Sequence, residues 1–185
     1  MNNKNFTIIT FYQFKNILDK QKIISKLIDF CRFNKIKGTI LVADEGINGT
    51  LAGLENSINK VIKIFNSLEF YNLNIKISYS KIMPFQKLKI KQKKEIVTLR
   101  SKFSDPKKVT GDRINFSKWN DVIKDKNTVV LDVRNNYEVE IGSFKNAINP
   151  KTKSFTEFKT FVKNNLNNSK NKKIAMFCTG GIRCE

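Results

Sequence analysis

The sequence predicts two domains that both mix helices and strands: an α+β sandwich, followed by an α/β domain with a parallel sheet. In residues 1–100, strand and helix patterns follow one another in the order βαββαβ. In residues 116–185, two continuous apolar strands flank a helix, as in a parallel βαβ unit. Residues 101–115 contain two turn-forming dipeptides, Asp-Pro and Gly-Asp, and form the best candidate linker.

Apolar spacing places the elements of the first domain. Residues 6–14 are rich in β-forming residues and predict a strand. Residues 16–35 and 55–69 have apolar residues at helical spacing and predict two helices. Their apolar faces are Leu18, Ile24, Leu27, Ile28 and Cys31 in the first helix and Ile58, Val61, Ile62, Phe65 and Leu68 in the second. Further extended segments are expected at residues 39–43, 73–80 and 87–99. This order predicts a ferredoxin-like sandwich.

A hairpin turn is predicted at Asn48-Gly49. A type I′ turn needs positive φ at both central residues, and Asn-Gly is the pair that adopts it most readily. Asp44 and Glu45 precede this pair, and we expect them to shape the hairpin.

The second domain is predicted to begin with a short helix capped by Ser117. Residues 128–133 and 173–177 predict strands that are buried on both faces. A helical stripe between them consists of Phe155, Phe158, Val162 and Leu166. Reactive groups of parallel sheets lie at the carboxyl ends of the strands, where Asp132 and Cys178 stand.

The composition is that of a folded, basic protein. Hydrophobic residues make up 40% and aromatic residues 11% of the chain, enough for an apolar core. The net charge is +19, from 35 basic and 16 acidic residues, with a dense lysine run in residues 87–94. A polyanionic partner such as RNA explains this charge, and so does a compositional bias toward lysine. The charge alone leaves both explanations open.

We expect neither a membrane span nor a secretion signal in this sequence. No run approaches the ~18 apolar residues of a membrane span, and residues 1–5 lead into the first strand without a signal-peptide pattern. We therefore expect a cytoplasmic protein with no membrane partner.

Cysteine is the main candidate for chemistry, because the sequence has no histidine. This excludes Cys-His and Ser-His-Asp arrangements and any His-ligated metal site, and we expect no metal. The three cysteines, Cys31, Cys178 and Cys184, are unequally spaced and do not suggest a disulfide framework. A reactive thiolate therefore needs another means of lowering its pKa.

The strongest chemical signal is the loop after the last predicted strand, Cys178-Thr179-Gly180-Gly181-Ile182-Arg183-Cys184. Two glycines let the backbone turn its N–H groups toward the sulfur, and such a nest of amides stabilises an anion. The positive charge of Arg183 adds to this effect. We predict that Cys178 is the reactive thiolate and that the residues from Thr179 to Arg183 form its anion-binding loop. The alternative is a buried structural cysteine beside a tight turn.

A second motif, Asp132-Val133-Arg134, ends the first strand of this domain and is followed by Glu138. Together with the cysteine loop it resembles the rhodanese homology domain, whose first strand ends in a D-x-R motif. The resemblance implies an α/β rhodanese-like parallel sheet. It also implies that Asp132, Arg134 and Glu138 support the loop as ion pairs, with Glu138 bound to Arg134, and do not act in catalysis themselves.

Three segments together resemble the bacterial tRNA wobble-uridine hydroxylases. Residues 43–50 have the sequence ADEGINGT, which is similar to the EGINGT signature of that family. Residues 132–155 contain its DVRN and KTKSF segments, and residues 178–185 have the sequence CTGGIRCE of its active loop. Either end motif alone is suggestive, whereas their joint occurrence in this order is a specific signal.

This resemblance implies oxygen-dependent hydroxylation of the tRNA wobble uridine to 5-hydroxyuridine. It assigns Cys178 as the active-site cysteine, passing through a persulfide, and molecular oxygen as co-substrate; no other cofactor is evident. It makes tRNA the partner, with no DNA expected, and the first domain the part that faces RNA or positions the substrate. Cys184 is a candidate resolving thiol, the alternative being a small buried residue that packs the next helix. Cys31 is expected in the core.

The resemblance also implies a helix and a strand beyond the cysteine loop, whereas this sequence ends at Glu185. We therefore expect the second domain to be incomplete, truncated after the active loop, and the activity of the chain itself is left open.

Three rival functions remain open from the sequence. A rhodanese-type sulfurtransferase uses the same loop and thiolate with a different acceptor. An inactive, truncated RNA-binding remnant keeps the fold without the chemistry. A phosphatase of the C-x5-R type needs Arg six positions after the cysteine to bind phosphate with two hydrogen bonds. Arg183 is five positions after Cys178, which argues against this last function.

Overall fold

A computed structural model of the chain describes residues 5–101, 104–166 and 172–185. Two units, Met1–Ile96 and Val97–Glu185, have separate sheets and separate apolar cores. The boundaries expected from the sequence differ slightly from this division, and they stay a prediction.

The first unit is a five-stranded sheet with two helices. Its elements are β1 (Phe6–Phe14), α1 (Lys20–Phe33), β2 (Lys37–Ala43), β3 (Gly46–Leu54), α2 (Glu55–Ser67), β4 (Asn74–Ser80) and β5 (Leu88–Gln92). The strand order is β4-β1-β3-β2-β5; β5 pairs parallel to β2, and all other pairs are antiparallel. The first four strands and the two helices form the predicted ferredoxin-like sandwich, and β5 extends it at one edge.

The core of this unit lies between the helices and one face of the sheet. Strand residues such as Ile9, Phe11 and Ile40 are fully buried there with Leu27 of α1 and Phe65 of α2. The rings of Phe11 and Phe65 are 4.6 Å apart between centroids. One predicted core residue is wrong: Leu18 is 99% exposed. It precedes α1, whose N-cap is Asp19, so it never joins the buried helical face.

The hairpin between β2 and β3 turns at Asp44 and Glu45, three to four residues before the predicted Asn48-Gly49 turn. Asn48 and Gly49 lie inside β3. The glycine serves strand packing there, since a Cβ at Gly49 would lie 2.7 Å from the Thr39 carbonyl oxygen and 2.8 Å from the Phe11 ring. The expected role of Asp44 and Glu45 in shaping the hairpin agrees with this turn position.

The second unit is built around two parallel strands. Its elements are α3 (Phe116–Lys124), β6 (Thr128–Asp132), α4 (Asn136–Val139), a 3₁₀ turn (Phe155–Glu157), α5 (Phe158–Asn165), β7 (Lys173–Phe177) and a second 3₁₀ turn (Ile182–Cys184). β6 and β7 pair in parallel, from Thr128 with Lys173 to Asp132 with Phe177. The predicted parallel βαβ unit is therefore confirmed.

Two details of this unit differ from expectation. The N-cap of α3 is Asn115, whose side chain accepts a hydrogen bond from the Ser117 N–H at 3.2 Å, so Ser117 is not the cap. β7 is not buried on both faces, because Ile174 is 44% exposed. Among the described residues β7 pairs only with β6 and forms the edge of the sheet. Within the same residues, no helix is long and apolar enough to cross a membrane.

Candidate active site

Cys178 lies at the carboxyl end of β7, at the start of a tight loop. The Gly181 N–H donates a hydrogen bond to its Sγ over 3.0 Å. Gly181 has φ +93°, in the left-handed region that a residue with a Cβ rarely adopts. This conformation turns the amide toward the sulfur, as the paired glycines of the loop predicted.

Arg183 is fixed beside the loop by the segment that follows β6. Its guanidinium donates to Glu138 Oε2 at 3.0 Å and to the Val133 carbonyl at 3.3 Å. Glu138 also accepts hydrogen bonds from the Thr179 hydroxyl and, at 3.1 Å, from the Asn135 N–H. The expectation that Glu138 binds Arg134 is therefore wrong, since its arginine partner is Arg183.

The pKa of Glu138 is lowered by this environment. Partial burial opposes its ionised form, but the hydrogen bonds from Thr179, Asn135 and Arg183 and the charge of Arg183 outweigh that effect. Glu138 thus stays a carboxylate and holds both ends of the loop.

A second ion pair lies at the end of β6. Asp132 is fully buried, and its two oxygens accept hydrogen bonds from Arg134 Nε at 2.8 Å and from a terminal nitrogen of Arg134 at 2.6 Å. The Ser143 hydroxyl donates to the same carboxylate at 2.7 Å. Arg134 also donates to the Gly142 carbonyl at 2.6 Å. Burial opposes the ionised form of Asp132, yet these hydrogen bonds hold its pKa below the ordinary range.

An open pocket of about 380 Å³ lies in front of Cys178. Its lining consists of Arg134, Gly142, Ser143, Phe144, Phe177, Cys178 and Thr179. Phe144 and Phe177 meet edge to face with centroids 4.9 Å apart, and Trp119 packs against both. The Arg134 guanidinium lies 5.5 Å from the Phe177 ring centroid. The pocket therefore combines an aromatic wall, a fixed cation and a sulfur.

The pKa of Cys178 is lowered to about 6. The largest cause is a hydrogen bond from the Cys184 thiol; burial opposes the thiolate, and the N–H groups of Arg183 and Gly181 and the charge of Arg183 favour it. Cys184 in turn keeps its proton, because donation to Cys178 and burial both raise its pKa. At neutral pH the pair therefore holds one proton, on Cys184.

The remaining cysteine is inert by comparison. Cys31 is fully buried in α1, as expected, and burial raises its pKa to about 12. All three cysteines are free thiols. Among the residues that the structure describes, no group of three or more histidine, cysteine or acidic side chains is arranged to hold a metal ion.

The structure brings the predicted site residues together at the carboxyl ends of β6 and β7. Gly180 lies in the same loop but faces open space, since a Cβ there would meet nothing within 4 Å. Sequence reasoning missed Ser143, Phe144 and Phe177 as lining residues. The available signal was weak: residues 142–144 follow the D-x-R motif without any periodic pattern.

Both units match described families. Residues 6–96 match the UPF0176 acylphosphatase-like domain, and residues 117–185 match the rhodanese-like domain. Over 183 residues the chain is 45% identical to the protein named tRNA uridine(34) hydroxylase from Picosynechococcus sp.. That match covers 98% of this chain. Nearly the whole chain is thus similar to a tRNA uridine(34) hydroxylase.

The chain spans 61% of the length of this relative. The two matched segments are the acylphosphatase-like residues 6–96 and the rhodanese-like residues 117–185.

Likeness to solved structures is remote. A calcium and cyclic-diGMP complex of Klebsiella pneumoniae BlrP1 matches 88% of this chain and 34% of its own, with 14% identity and a TM-score of 0.41. Full-length HypF with phosphate and nucleotide matches 50% of this chain and 12% of its own, with 13% identity and a TM-score of 0.35. Scores this low support no conclusion about fold or function.

Proposed function

We propose that the chain hydroxylates the wobble uridine of tRNA to 5-hydroxyuridine, using molecular oxygen and the thiolate of Cys178. The single observation that carries this proposal is 45% identity, over 98% of the chain, to a protein named for that activity. The partner is then tRNA rather than DNA, and the compartment is the cytoplasm, where mature tRNA is used.

The loop geometry supports Cys178 as the reactive group. Its sulfur accepts hydrogen bonds from the Gly181 N–H and from the Cys184 thiol, and its pKa is about 6. A cysteine with such a pKa is mostly thiolate at neutral pH, which is the nucleophilic form. Cys184, already in hydrogen-bond contact, is placed to resolve an oxidised or persulfidated Cys178.

The pocket supports a planar base as the group that meets the sulfur. Phe144 is 44% exposed and lines the pocket beside Cys178, so part of its ring is available for stacking. Enzymes and RNA-binding domains commonly hold unstacked bases against aromatic side chains. Arg134 is a fixed donor on the same wall. We assign uracil to this pocket, with Phe144 as its stacking platform.

The test is nucleoside mass spectrometry of tRNA from a strain that lacks its own wobble-uridine hydroxylase. Expression of this chain should restore 5-hydroxyuridine, and Cys178→Ser should not. Cys31→Ala is the matched control and should retain activity, because Cys31 is fully buried in the core of the first unit and does not line the pocket. Growth under ¹⁸O₂ should label the new hydroxyl group. If the unmodified chain restores no 5-hydroxyuridine although it accumulates in folded form, the proposal is wrong for this chain.

A rhodanese-type sulfurtransferase is the second candidate, favoured by the rhodanese-like match over residues 117–185. Its signature is turnover of cyanolysable sulfur from thiosulfate in the absence of RNA. Steady sulfur turnover in this RNA-free assay, together with unmodified wobble uridine in the mass spectra, would favour the sulfurtransferase over the hydroxylase.

A further inference from the structure

The sheet of the first unit has one face that the helices do not cover. Strand pairing fixes which residues lie on it, because side chains alternate between faces. Ile40, Leu88 and Ile90 belong to the packed core on the helix side. Their neighbours Thr39, Lys89 and Lys91 therefore point to the opposite face, which we call the open face.

Every lysine in the five strands lies on this open face. They are Lys37 in β2, Lys76 in β4, and Lys89 and Lys91 in β5. None of the five strands contains an aspartate or a glutamate. The lysine run at residues 87–94 thus includes a strand with alternating faces. In β5, Lys89 and Lys91 lie on the open face, whereas Leu88 and Ile90 pack against the core. Burial of the helix side keeps lysines off that face in any such sheet. The feature that points to a polyanion is therefore the absence of acidic residues from the strands that carry these lysines.

One row crosses the whole sheet on this face. Strand pairing aligns Lys89, Thr39, Thr50, Thr10 and Lys76 from one edge to the other. The two lysines are exposed and the three threonines are half-buried. Four strand spacings give a width of about 19 Å. The Thr10 and Thr50 hydroxyls are hydrogen-bonded to each other at 3.2 Å, so the middle of the row is a flat polar floor.

The geometry points to this row, together with Lys91 on the same face of β5, as a binding surface for the phosphate backbone of RNA. Lysine ammonium groups at both edges attract phosphates, and threonine hydroxyls donate to phosphate oxygens. An acidic protein surface is the poorer match, because protein interfaces are centred on aromatic and arginine anchors and are depleted in lysine. The row offers lysine and threonine alone. This inference rests on the proposed function for the identity of the RNA, which is tRNA.

The experiment measures the affinity of the full chain for a labelled anticodon stem-loop RNA at several salt concentrations. The open-face variant is Lys76→Gln/Lys89→Gln/Lys91→Gln. Its matched control is Lys26→Gln/Lys60→Gln/Lys63→Gln, which removes the same charge from exposed positions of α1 and α2. Thermal unfolding of both variants should match the parent chain, since all six side chains are exposed.

We expect the open-face variant to lower the slope of log affinity against log salt by about 2 and the affinity at low salt by about tenfold, as for three lost phosphate contacts. The control should keep the slope of the parent chain. Equal losses in both variants, or a loss in neither, would overturn the assignment. If the open-face variant binds the RNA as tightly as the parent chain but no longer binds poly-glutamate, the face binds an acidic protein. That result would also overturn the assignment to RNA.

Failure of this surface and failure of the proposed function give different results. If the open-face variant alone loses RNA binding while no version forms 5-hydroxyuridine, the surface stands and the hydroxylase assignment falls. If 5-hydroxyuridine forms normally and RNA binding is unchanged in the variant, the surface assignment is the one that falls.

Discussion

Arg183 and Glu138, 45 residues apart in sequence, form an ion pair of 3.0 Å that joins the cysteine loop to the helix after β6. Both side chains are largely shielded from solvent. Glu138 also accepts a hydrogen bond from the Thr179 hydroxyl. One carboxylate therefore holds the loop on both sides of its two glycines. The position of Arg183 beside Cys178 therefore depends on a residue that does not line the pocket.

Neutralising Glu138 should weaken the second unit in a pH-dependent way. Glu138→Gln removes the negative charge and replaces one of the two oxygens that accept from three donors by an NH2 group. We expect the free energy of unfolding at pH 7 to fall by about 1–3 kcal/mol. The folded-state pKa of Glu138 lies below its ordinary value of 4.5. Its contribution to stability is thus present above pH 4.5 and is lost as pH falls through the folded-state pKa.

Urea denaturation followed by the fluorescence of Trp119, the sole tryptophan, measures this effect in the second unit. Glu140→Gln is the control, since Glu140 is exposed and bonds only locally to Asn136 among the contacts described. A Glu138→Gln chain as stable as the parent at pH 7 would contradict the role given to this carboxylate.

Gly181 and Gly180 should respond differently to alanine. Gly181→Ala places a Cβ at φ +93° and should cost about 1–2 kcal/mol. Relief of that strain would turn the amide away from Sγ and raise the pKa of Cys178. Gly180→Ala meets no atom within 4 Å and should change neither stability nor pKa. The pH dependence of iodoacetamide alkylation measures the pKa of Cys178 in both variants. Equal alkylation midpoints in Gly181→Ala and Gly180→Ala would refute the difference between the two glycines.

The Cys184 thiol should set much of the reactivity of Cys178. In the parent chain we expect alkylation of Cys178 to rise with a midpoint near pH 6, the value to which its pKa is lowered. Cys184→Ala removes the largest favourable cause and should move the midpoint upward, whereas Cys184→Ser retains a donor and should move it less. Peptide mass spectrometry assigns the labelled site. Cys31 should stay unlabelled until the chain unfolds, because burial raises its pKa to about 12.

Phe144 should matter for the base and not for the thiolate. Phe144→Ala removes the exposed ring of the pocket and should lower kcat/KM for tRNA by about tenfold, the loss expected for one stacking contact. The alkylation midpoint of Cys178 should stay near pH 6. Ile141→Ala is the control, because Ile141 is 89% exposed and does not line the pocket. Unchanged kcat/KM in Phe144→Ala would exclude the stacking role.

The parts of the site that follow from local pattern were predictable. Two apolar runs, each ending in a chemically distinctive residue, placed Asp132 and Cys178 at one edge of a parallel sheet, and the register confirms that Asp132 pairs with Phe177, the residue before Cys178. The arginine partner of Glu138 was not predictable. Both arginines are near in space, and the choice depends on how residues 142–144 return to bind Arg134.

The predicted turn at Asn48-Gly49 was wrong for a related reason. The dipeptide fits a turn locally, but the absence of a side chain at Gly49 is needed for close approach of the Phe11 ring and the Thr39 carbonyl. That requirement comes from strand pairing, which no local pattern contains. The same holds for the aromatic wall, since Trp119, Phe144 and Phe177 come from three separate segments.

The donors around Cys178 have a consequence for its behaviour in alkaline solution. Backbone amides and a guanidinium keep their protons throughout the physiological range, unlike the imidazole of a cysteine–histidine pair. Cys184 also stays protonated, since its pKa is raised. Reactivity of the sulfur should therefore reach a plateau above pH 7 and stay there, without the descending limb of a bell-shaped profile. A chain without histidine thus carries a nucleophile whose strength varies little with pH above neutrality.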